Sequence, residues 1–364
     1  MPVSPPLTAL SPSTLPDVIT DDVALDELLS RPTPACIEAL ARVPGDIVFL
    51  GVAGKMGPTL ARMAVRASAE AGVKRRVIGV SRFSDPTSQD ALNNFGIETI
   101  RCDLGDPEQV AKLPDAPNIV TMSALKFGST GKTALTWGMN VYVPTLVCRR
   151  YQGSRIVAFS TGNVYPLTDV RLGGARETDP VGPIGEYAMS CLGRERIYEY
   201  FAEGASSGSD VSRATPTTIV RLNYACELRY GVLADMARRI HSGEAIDLSM
   251  GCVNAVWQGD ANCAVLQSLE RASSPAFTFN LAGPETLSVR RICETLGSLL
   301  GKPPTFIGTE AQDALISNGQ LGHELFGYPT VPVARMLKWI AAWTLAGGRS
   351  LGKPTKFETR DGKF

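Results

Sequence analysis

Short apolar runs alternate with segments of helical periodicity between residue 46 and about residue 224. The first run covers residues 46–50, enters a glycine-rich turn and is followed from Thr59 by a helical pattern. Further runs of strand length lie at residues 76–80, 97–101, 118–122, 155–160 and 217–222. This alternation predicts an α/β fold with a doubly wound parallel sheet. Because its crossovers are right-handed, the carboxyl ends of the strands share one edge, where ligands bind.

Outside this region the pattern changes at both ends of the chain. Residues 1–16 are rich in Pro, Ser and Thr, whereas Val23, Leu25 and Leu28 have helical spacing, so residues 1–45 are interpreted as a partly disordered extension. Residues 225–350 hold short apolar pieces and a helical stretch, which indicates a smaller region with some segments returning to the sheet. The tail, residues 351–364, is polar and interrupted by proline, and we expect it to lie on the surface.

The composition is that of a globular protein and disfavours several classes of partner. With 364 residues, 44% of them hydrophobic, the chain can bury a large core. Lys plus Arg and Asp plus Glu number 36 each, so no net field favours nucleic acid or an anionic membrane. The start lacks a basic segment followed by an apolar one, and no apolar run approaches the roughly 20 residues of a spanning helix. We therefore expect a soluble, cytoplasmic protein.

The cysteine and histidine content argues against a metal centre and a disulfide framework. The eight cysteines include no Cys-x-x-Cys spacing, and histidine occurs only at His241 and His323. Reduced cysteine behaves as a small buried hydrophobic residue. We expect reduced thiols and no metal.

Three glycines follow the first predicted strand in the pattern G-x-x-G-x-x-G. They are Gly51, Gly54 and Gly57, with Lys55 and Met56 between the last two. Without side chains the backbone can turn tightly, and a diphosphate can approach the amide groups at the start of the next helix, whose dipole favours an anion. The strand before and the helix after predict that residues 46–224 form a Rossmann domain that binds a nicotinamide dinucleotide.

The end of the second strand bears on which nicotinamide cofactor binds. NAD-binding proteins usually have an acidic residue there, which accepts hydrogen bonds from the ribose hydroxyl groups. This strand ends instead in Ser81 and Arg82, and Arg82 could bind a ribose phosphate as a charge-assisted fork, helped by Lys55. NADP is therefore preferred. The alternative is that Arg82 is solvated and Asp85 reaches back to the ribose of NAD.

Several motifs follow the glycine loop in a fixed order. They are Cys102-Asp103-Leu104, a segment with Ser123 and Ala124 after the fourth strand, Asn140, Ser160-Thr161 before Val164-Tyr165, and Tyr187 before Cys191. Together they resemble the extended short-chain dehydrogenase/reductase family, the sugar epimerases and dehydratases, over about residues 46–300. The resemblance implies that Asp103 faces the adenine with Leu104 beside it. It also implies that Ser123 and Ala124 line the cofactor, and that Asn140 belongs to this site in a mainly structural role.

The resemblance also assigns catalytic groups. It implies that Thr161 is the catalytic hydroxyl group and that Tyr187, which borders the cofactor, is the general acid/base. In the family's 4,6-dehydratases the two residues after the hydroxyl group are Asp and Glu, which eliminate water. Here they are Gly162 and Asn163, which disfavours a dehydratase.

One residue departs from the family pattern: Cys191 stands where Tyr-x-x-x-Lys has its lysine. A free phenol with a pKa of about 10 is a poor base at neutral pH. A cation at about 4 Å in an effective dielectric near 20 is worth roughly 4 kcal/mol, or about three pKa units. Arg194 lies on the same helix face as Tyr187, roughly 10 Å along the axis, and could bend back. Lys126 is the competing cation, and an ordinary solvated or ion-paired Arg194 is the other reading.

Residues after the sixth predicted strand are candidates for substrate binding. Asn223, Arg229 and Trp257 could supply hydrogen bonds and a stacking face to a sugar, although packing explains each of them equally well. Lys126 and Asn163 complete the substrate-side set. Residues 225–350 are therefore interpreted as mainly substrate-binding, and the resemblance further implies a homodimer.

These features predict an NAD(P)-dependent sugar dehydrogenase or epimerase. Tyr187 and Thr161 would act on an alcohol or carbonyl group of a sugar, a sugar acid or a nucleotide sugar. The sequence leaves open the choice between dehydrogenase and epimerase. The missing lysine supports an alternative of another class, a catalytically silent dinucleotide-binding redox sensor that reports to a protein partner.

Overall fold

The computed structural model describes residues 9–125, 131–204 and 213–363. Its strands are β1 (Ile47–Leu50), β2 (Val77–Ser81), β3 (Glu98–Arg101), β4 (Asn118–Thr121), β5 (Arg155–Thr161), β6 (Thr168–Asp169), β7 (Thr217–Leu222), β8 (Ala225–Cys226), β9 (Ile246–Asp247), β10 (Cys252–Val253), β11 (Val256–Trp257), β12 (Phe277–Leu281), β13 (Leu287–Ser288), β14 (Phe306–Ile307) and β15 (Asp313–Ala314).

Helices connect these strands. They are α1 (Asp22–Leu29), α2 (Pro34–Arg42), α3 (Gly57–Glu70), α4 (Pro86–Asn94), α5 (Pro107–Ala111), α6 (Thr133–Trp137), α7 (Val143–Arg150), α8 (Gly185–Glu203), α9 (Val232–Ser242), α10 (Gln258–Gln267), α11 (Val289–Leu300), α12 (Gln320–Phe326) and α13 (Val333–Leu345). A π-helical turn, Gly138–Tyr142, joins α6 to α7, and short 3₁₀ turns lie at Pro12–Thr14, Gly162–Val164, Val170–Leu172 and Ser268–Arg271. Within the described ranges, none of the helices combines the length and the apolarity needed to span a bilayer.

Seven of the described strands form one sheet in the order β12-β7-β5-β4-β1-β2-β3. All pairings in this sheet are parallel. The chain progresses outwards from β1 to β3 on one side and from β4 to β12 on the other, so a crevice opens between the carboxyl ends of β1 and β4. The doubly wound parallel sheet predicted from the apolar runs is confirmed. The strand β12 comes from the C-terminal region and completes the sheet beside β7.

Strand β1 illustrates why the predicted strands are apolar throughout. Ile47 and Phe49 pack into the core on one face of the sheet, whereas Val48 and Leu50 pack into the core on the opposite face. Since helices cover both faces, every position of this strand is buried and no polar alternation remains in the sequence.

A third core lies in the C-terminal region. The rings of Trp257 and Trp339 pack there with their centroids 5.4 Å apart. Leu25 and Leu28 of α1 bury their side chains in the same core, as does Phe357 of the tail. Both ends of the chain therefore pack against residues 225–350.

The polar tail is only partly on the surface. Thr355 donates its N–H and its hydroxyl group to the Asp235 carboxylate at 2.7 and 2.5 Å. Further along, Gly362 packs against Gly185 at the start of α8, where an added Cβ atom would lie 2.6 Å from the Gly362 carbonyl oxygen. The tail has few apolar residues, and it is held in place by the buried Phe357, by the hydrogen bonds of Thr355 and by ion pairs of Glu358 with Arg239 and of Arg360 with Asp313.

Candidate functional site

The glycine loop joins β1 to α3 at the carboxyl edge of the sheet. Gly51 has a φ of +85°, and a Cβ atom added to it would lie 2.8 Å from Ser123 Oγ. A Cβ atom on Gly57 would lie 2.0 Å from the Val52 carbonyl oxygen. The first position thus requires glycine for its backbone conformation, and the last requires it for close packing. Gly54 donates its N–H to the Gly51 carbonyl oxygen at 3.0 Å and so closes the turn.

The loop leaves room for an anion at the start of α3. Met56 stands at the N-cap without a capping side-chain hydrogen bond, so the first N–H groups of the helix remain available. Three glycines beside uncapped amide groups are what a dinucleotide diphosphate needs, and the residues present fit such a cofactor.

The remaining cofactor candidates lie around this loop at the ends of the neighbouring strands. Ser123 and Ala124 follow β4, and Ser123 lies beside Gly51. Asp103 and Leu104 follow β3; the Asp103 carboxylate accepts the Gly105 N–H at 2.9 Å, and Leu104 is buried. The structure therefore brings these residues to one edge of the sheet, as the parallel topology predicts.

The end of β2 presents arginine side chains. Ser81 is paired in register with Arg101 of β3, and Arg82 follows directly; both arginines are exposed. Asp85, the alternative ribose partner, is the N-cap of α4, where its carboxylate accepts the Thr87 N–H at 3.0 Å. The carboxylate is thus engaged in helix capping.

Lys55 extends away from the arginines at the end of β2. Its Nζ atom donates to the Ala225 carbonyl oxygen at 2.7 Å and lies 4.1 Å from the centroid of the Tyr230 ring. Both partners follow β7. The suggested help of Lys55 in binding a ribose phosphate therefore has no support in its position, because the side chain is directed toward the segment after β7 and not toward the end of β2.

A cavity of about 170 Å³ lies between the glycine loop and the segment after β7. It is lined by Lys55, Met56, Ser160, Thr161, Asn163, Tyr187, Leu222, Asn223, Tyr224, Ala225, Tyr230, Gly231 and Thr355. Six of the residues singled out from the sequence as catalytic or substrate-side candidates or as part of the glycine loop meet here: Lys55, Met56, Thr161, Asn163, Tyr187 and Asn223.

Thr161 and Tyr187 form the polar centre of this cavity. Thr161 ends β5 and Tyr187 lies in the first turn of α8; each is less than a tenth exposed, and their side chains are hydrogen-bonded to each other. Thr161 Oγ1 accepts from the Asn163 N–H at 3.2 Å and from its side-chain amide at 2.9 Å. With two bonds accepted, the threonine proton is free to be donated to Tyr187 or to a substrate oxygen.

Arg194 bends back along α8 toward this pair. Its guanidinium donates to the Phe159 carbonyl oxygen at 2.9 Å and to Cys191 Sγ at 3.6 Å, and only 4% of the residue is exposed. Among the described residues, no carboxylate forms an ion pair with it. Arg194 is therefore a buried cation next to Cys191.

Burial and the charge of Arg194 change the pKa of Tyr187 in opposite directions. Desolvation raises the pKa of its phenol well above the ordinary value, and the field of Cys191 raises it further. The charge of Arg194 and the hydrogen bond from Thr161 lower it. In the absence of substrate, burial prevails and Tyr187 is a neutral phenol at physiological pH.

Asn140 connects the segment after β4 to α8. Its amide oxygen accepts the Leu125 N–H at 2.9 Å, and its amide nitrogen donates to Ser190 Oγ at 2.9 Å. It lies in the π-helical turn, whose irregular backbone also presents the Asn140 carbonyl oxygen to Arg194 Nε at 3.4 Å. The residue fixes the position of α8 relative to the cofactor edge, in agreement with a structural role.

Two predicted substrate residues, Arg229 and Trp257, are not brought to the cavity. Arg229 forms ion pairs with Asp22, Asp26 and Glu227. Trp257 is fully buried in the third core. Lys126 lies outside the described residues. The first two side chains are used for attaching α1 and for core packing, which is the alternative that the sequence left open.

Other cavity residues were missed by sequence reasoning. Tyr230 and Thr355 lie far from any motif, and only the folding of the tail onto α9 brings Thr355 to Tyr187. Ser160 was passed over because it precedes Thr161, the predicted catalytic residue. Its own hydroxyl group donates to the buried Glu195, which pairs with Arg221 at 2.8 Å. The Ser-Thr pair after a buried strand was the available signal for Ser160.

Comparison with known proteins gave one family. The model of the NAD dependent epimerase/dehydratase family matches residues 47–258. Among curated proteins, no match was found.

Solved structures match over most of the chain. UDP-glucuronic acid 4-epimerase from Bacillus cereus, in complex with NAD, has a TM-score of 0.66 at 16% identity and covers 82% of this chain and 98% of its own. UDP-glucose 4-epimerase from Thermotoga maritima, with UDP-glucose, has a TM-score of 0.65 at 19% identity, with 83% and 99% covered. The dTDP-glucose 4,6-dehydratase from Streptomyces venezuelae, with NAD and TYD bound, has a TM-score of 0.66 at 17% identity and covers 82% of this chain and 97% of its own. At such identities the similarity concerns the fold.

Proposed function

Because the chain belongs to the NAD dependent epimerase/dehydratase family, we propose that it is a nicotinamide-dependent enzyme acting on a sugar-like substrate. It oxidises an alcohol or reduces a carbonyl group, as a dehydrogenase or an epimerase. The observation that carries this proposal is the hydrogen-bonded pair Thr161 and Tyr187, which faces a cavity beside the glycine loop.

In this proposal, different residues bind the cofactor and transfer the proton. The amide groups after Gly54 and the segment around Ser123 would hold the dinucleotide, whose chemistry would be hydride exchange with the substrate carbon. Thr161 donates a hydrogen bond to the substrate oxygen, and Tyr187 gives its phenol proton to that oxygen in reduction or takes it in oxidation. Arg194 acts through Tyr187 as a positioning residue, because its charge stabilises the phenolate.

Elimination of water is disfavoured by the same geometry. Gly162 offers no side chain, and the Asn163 amide is hydrogen-bonded to Thr161 Oγ1 at 2.9 Å. An amide is neither an acid nor a base at physiological pH, so a second proton-transferring group is missing from these positions. We therefore favour redox chemistry alone, without dehydration.

Cofactor retention and a substrate panel test the proposal. The purified protein is passed through gel filtration and its bound nucleotide identified; absorbance of reduced nicotinamide is then followed with sugars, sugar acids and nucleotide sugars. An epimerase is expected to retain oxidised cofactor, since it needs the cofactor again in each cycle, whereas a dehydrogenase exchanges it. Failure of well-folded protein to bind either pyridine nucleotide in calorimetry would contradict the proposal.

The finer proposal is a preference for NADP over NAD. Arg82 and Arg101 are exposed at the end of β2, and Asp85 caps α4, so positive charge is the available partner for a ribose phosphate. We expect Arg82→Gln to weaken NADP binding at least tenfold, because a charge-assisted hydrogen bond contributes about 1.5 to 3 kcal/mol. Calorimetry with both cofactors measures the change.

The control for this prediction is Arg271→Gln, which removes an exposed arginine from the turn that packs at the opposite ends of β5 and β7. Its cofactor affinities should equal those of the parent protein. Equal losses for NAD and NADP in Arg82→Gln, or no loss for either, would contradict a preference for NADP that depends on Arg82.

A homodimer is also proposed, on the surface formed by α6 to α8. Trp137 of α6 donates to the Glu186 carboxylate of α8 at 2.6 Å, so these helices form one surface. That surface exposes the large apolar side chains of Leu135, Trp137, Tyr142, Met189 and Tyr200. Large apolar side chains exposed on neighbouring helices support burial against a second copy.

A further inference from the structure

The substrate cavity has an unusual charge content. Among the described residues that line it, Lys55 carries the single formal charge, and the others are hydroxyl, phenol, amide and apolar groups. Because no carboxylate lines the cavity, it favours an anionic group on its ligand. We propose that Lys55 binds a carboxylate or phosphate group of the substrate, so that the substrate is an acidic sugar derivative. This inference rests on the proposed function and names the substrate class for the same site.

The protein provides no carboxylate partner for the positive charge of Lys55 among the described residues. Its contacts are one neutral oxygen, that of Ala225 at 2.7 Å, and the face of the Tyr230 ring. The nearest carboxylates are already engaged: Glu227 accepts from Arg229 Nε at 3.1 Å, and Asp235 accepts from Arg238 and Thr355. An anion arriving in the cavity would therefore meet a cation without a carboxylate partner.

Partial desolvation of the Lys55 ammonium group also favours an anionic ligand. Burial in the cavity lowers the pKa of Lys55 to about 8, while the field of Glu227 acts to raise it. Because this pKa lies above 7, most of the lysine stays protonated at pH 7. Maintaining a partly desolvated cation costs free energy, and an anionic ligand would recover it through a charge-assisted hydrogen bond.

The direction of the side chain favours the substrate over the cofactor diphosphate. Lys55 starts in the glycine loop but ends at Ala225 and Tyr230, which follow β7, and it shares the cavity with Thr161 and Tyr187. The uncapped amide groups of α3 remain for the diphosphate. The same loop thus supplies backbone groups to one ligand and a side chain to the other.

Binding of matched probes tests the inference. Protein saturated with nicotinamide cofactor is titrated by calorimetry with glucose, glucuronate and glucose 6-phosphate, which separate a neutral sugar, a carboxylate and a phosphate. We expect at least one anionic probe to bind more than tenfold more tightly than glucose. Lys55→Met should remove that preference by raising the Kd of the anionic probe at least tenfold, with little change for glucose.

A matched variant and the cofactor affinity separate the outcomes. Lys74→Met removes an exposed lysine at the end of the α3 connection and should leave all affinities unchanged. If Lys55→Met instead weakens cofactor binding, its charge serves the diphosphate and the inference is overturned. Equal affinity of the parent protein for all three probes, including no binding of any, also overturns it.

Failure of this inference is distinguishable from failure of the proposed function. Turnover of neutral sugars in the substrate panel, with kcat/KM unaffected by Lys55→Met, would leave the oxidoreductase intact and remove only the acidic substrate. Loss of anion preference in the variant without any turnover in the parent would retain the anion site and contradict the enzyme.

Discussion

Tyr187→Phe is expected to lower kcat by more than about a hundredfold, because general acid/base groups contribute at that scale. The substitution removes only the phenol oxygen, which is hydrogen-bonded to the Thr161 side chain, and leaves the ring in the core formed with Val164 and Cys191. Nicotinamide binding should therefore be retained. Steady-state kinetics with the best substrate of the panel, together with calorimetry for the cofactor, measures both effects.

Tyr151→Phe is the matched control. The Tyr151 hydroxyl group is buried and has no hydrogen-bond partner among the described residues, so its removal should not reduce activity. If Tyr187→Phe keeps full turnover, Tyr187 is not the acid/base group. If the parent protein and the Tyr187→Phe variant both bind the dinucleotide but neither turns over any substrate, the chain is better explained as a silent redox sensor.

Arg194→Met is expected to reduce alcohol oxidation at pH 7 at least tenfold and to move its pH profile upward by at least about one unit. Oxidation needs the phenolate, and the charge of Arg194 lowers the pKa of Tyr187 against burial and the field of Cys191, both of which raise it. Without the cation the phenolate forms only at higher pH. Carbonyl reduction starts from the neutral phenol, and its rate at pH 7 should change less.

Two further variants show whether Arg194 acts by charge. Arg194→Lys keeps the charge and should recover part of the oxidation rate, whereas Arg196→Met removes an exposed arginine of the same helix, paired with Glu199, and should have no effect. Because Arg194 also holds the Phe159 and Asn140 carbonyl oxygens, its loss will lower stability. Equal loss of oxidation and reduction, without recovery at alkaline pH, would indicate a structural role alone.

The pH dependence of the parent protein follows from the same groups. Since desolvation keeps the pKa of Tyr187 well above its ordinary value, oxidation is expected to rise from about pH 7 to about pH 10 while reduction stays nearly level. Bound cofactor and substrate will shift the midpoint of the pH profile of oxidation, but the rate will still rise with pH.

Local patterns were sufficient for the architecture and for the cofactor edge. The apolar runs predicted six strands to within one or two residues of β1, β2, β3, β4, β5 and β7. The glycine spacing predicted a loop in which Gly51 and Gly57 cannot carry a side chain. Strand burial and turn conformation depend on the residues at those positions, so both leave a signature in the sequence.

Spacing along α8 made Arg194 a candidate for the cation beside Tyr187 but did not establish it. The sequence placed Arg194 on the same face as Tyr187 and left solvation, ion pairing and approach to the site as alternatives. The decision required the Phe159 and Asn140 carbonyl oxygens, contributed by β5 and the π-helical turn, which attract the guanidinium inward.

What the sequence determined by itself is therefore the doubly wound sheet, the dinucleotide loop and the order of the catalytic motifs, because each arises from neighbouring residues. Tertiary structure alone decided that Lys55 lines the cavity of Thr161 and Tyr187, that Arg229 forms ion pairs and Trp257 packs in a core, and that Thr355 of the tail borders the cavity. These side chains obtain their roles from partners distant in sequence, and long charged or aromatic side chains can be directed to a ligand, an ion pair or a core with the same local pattern.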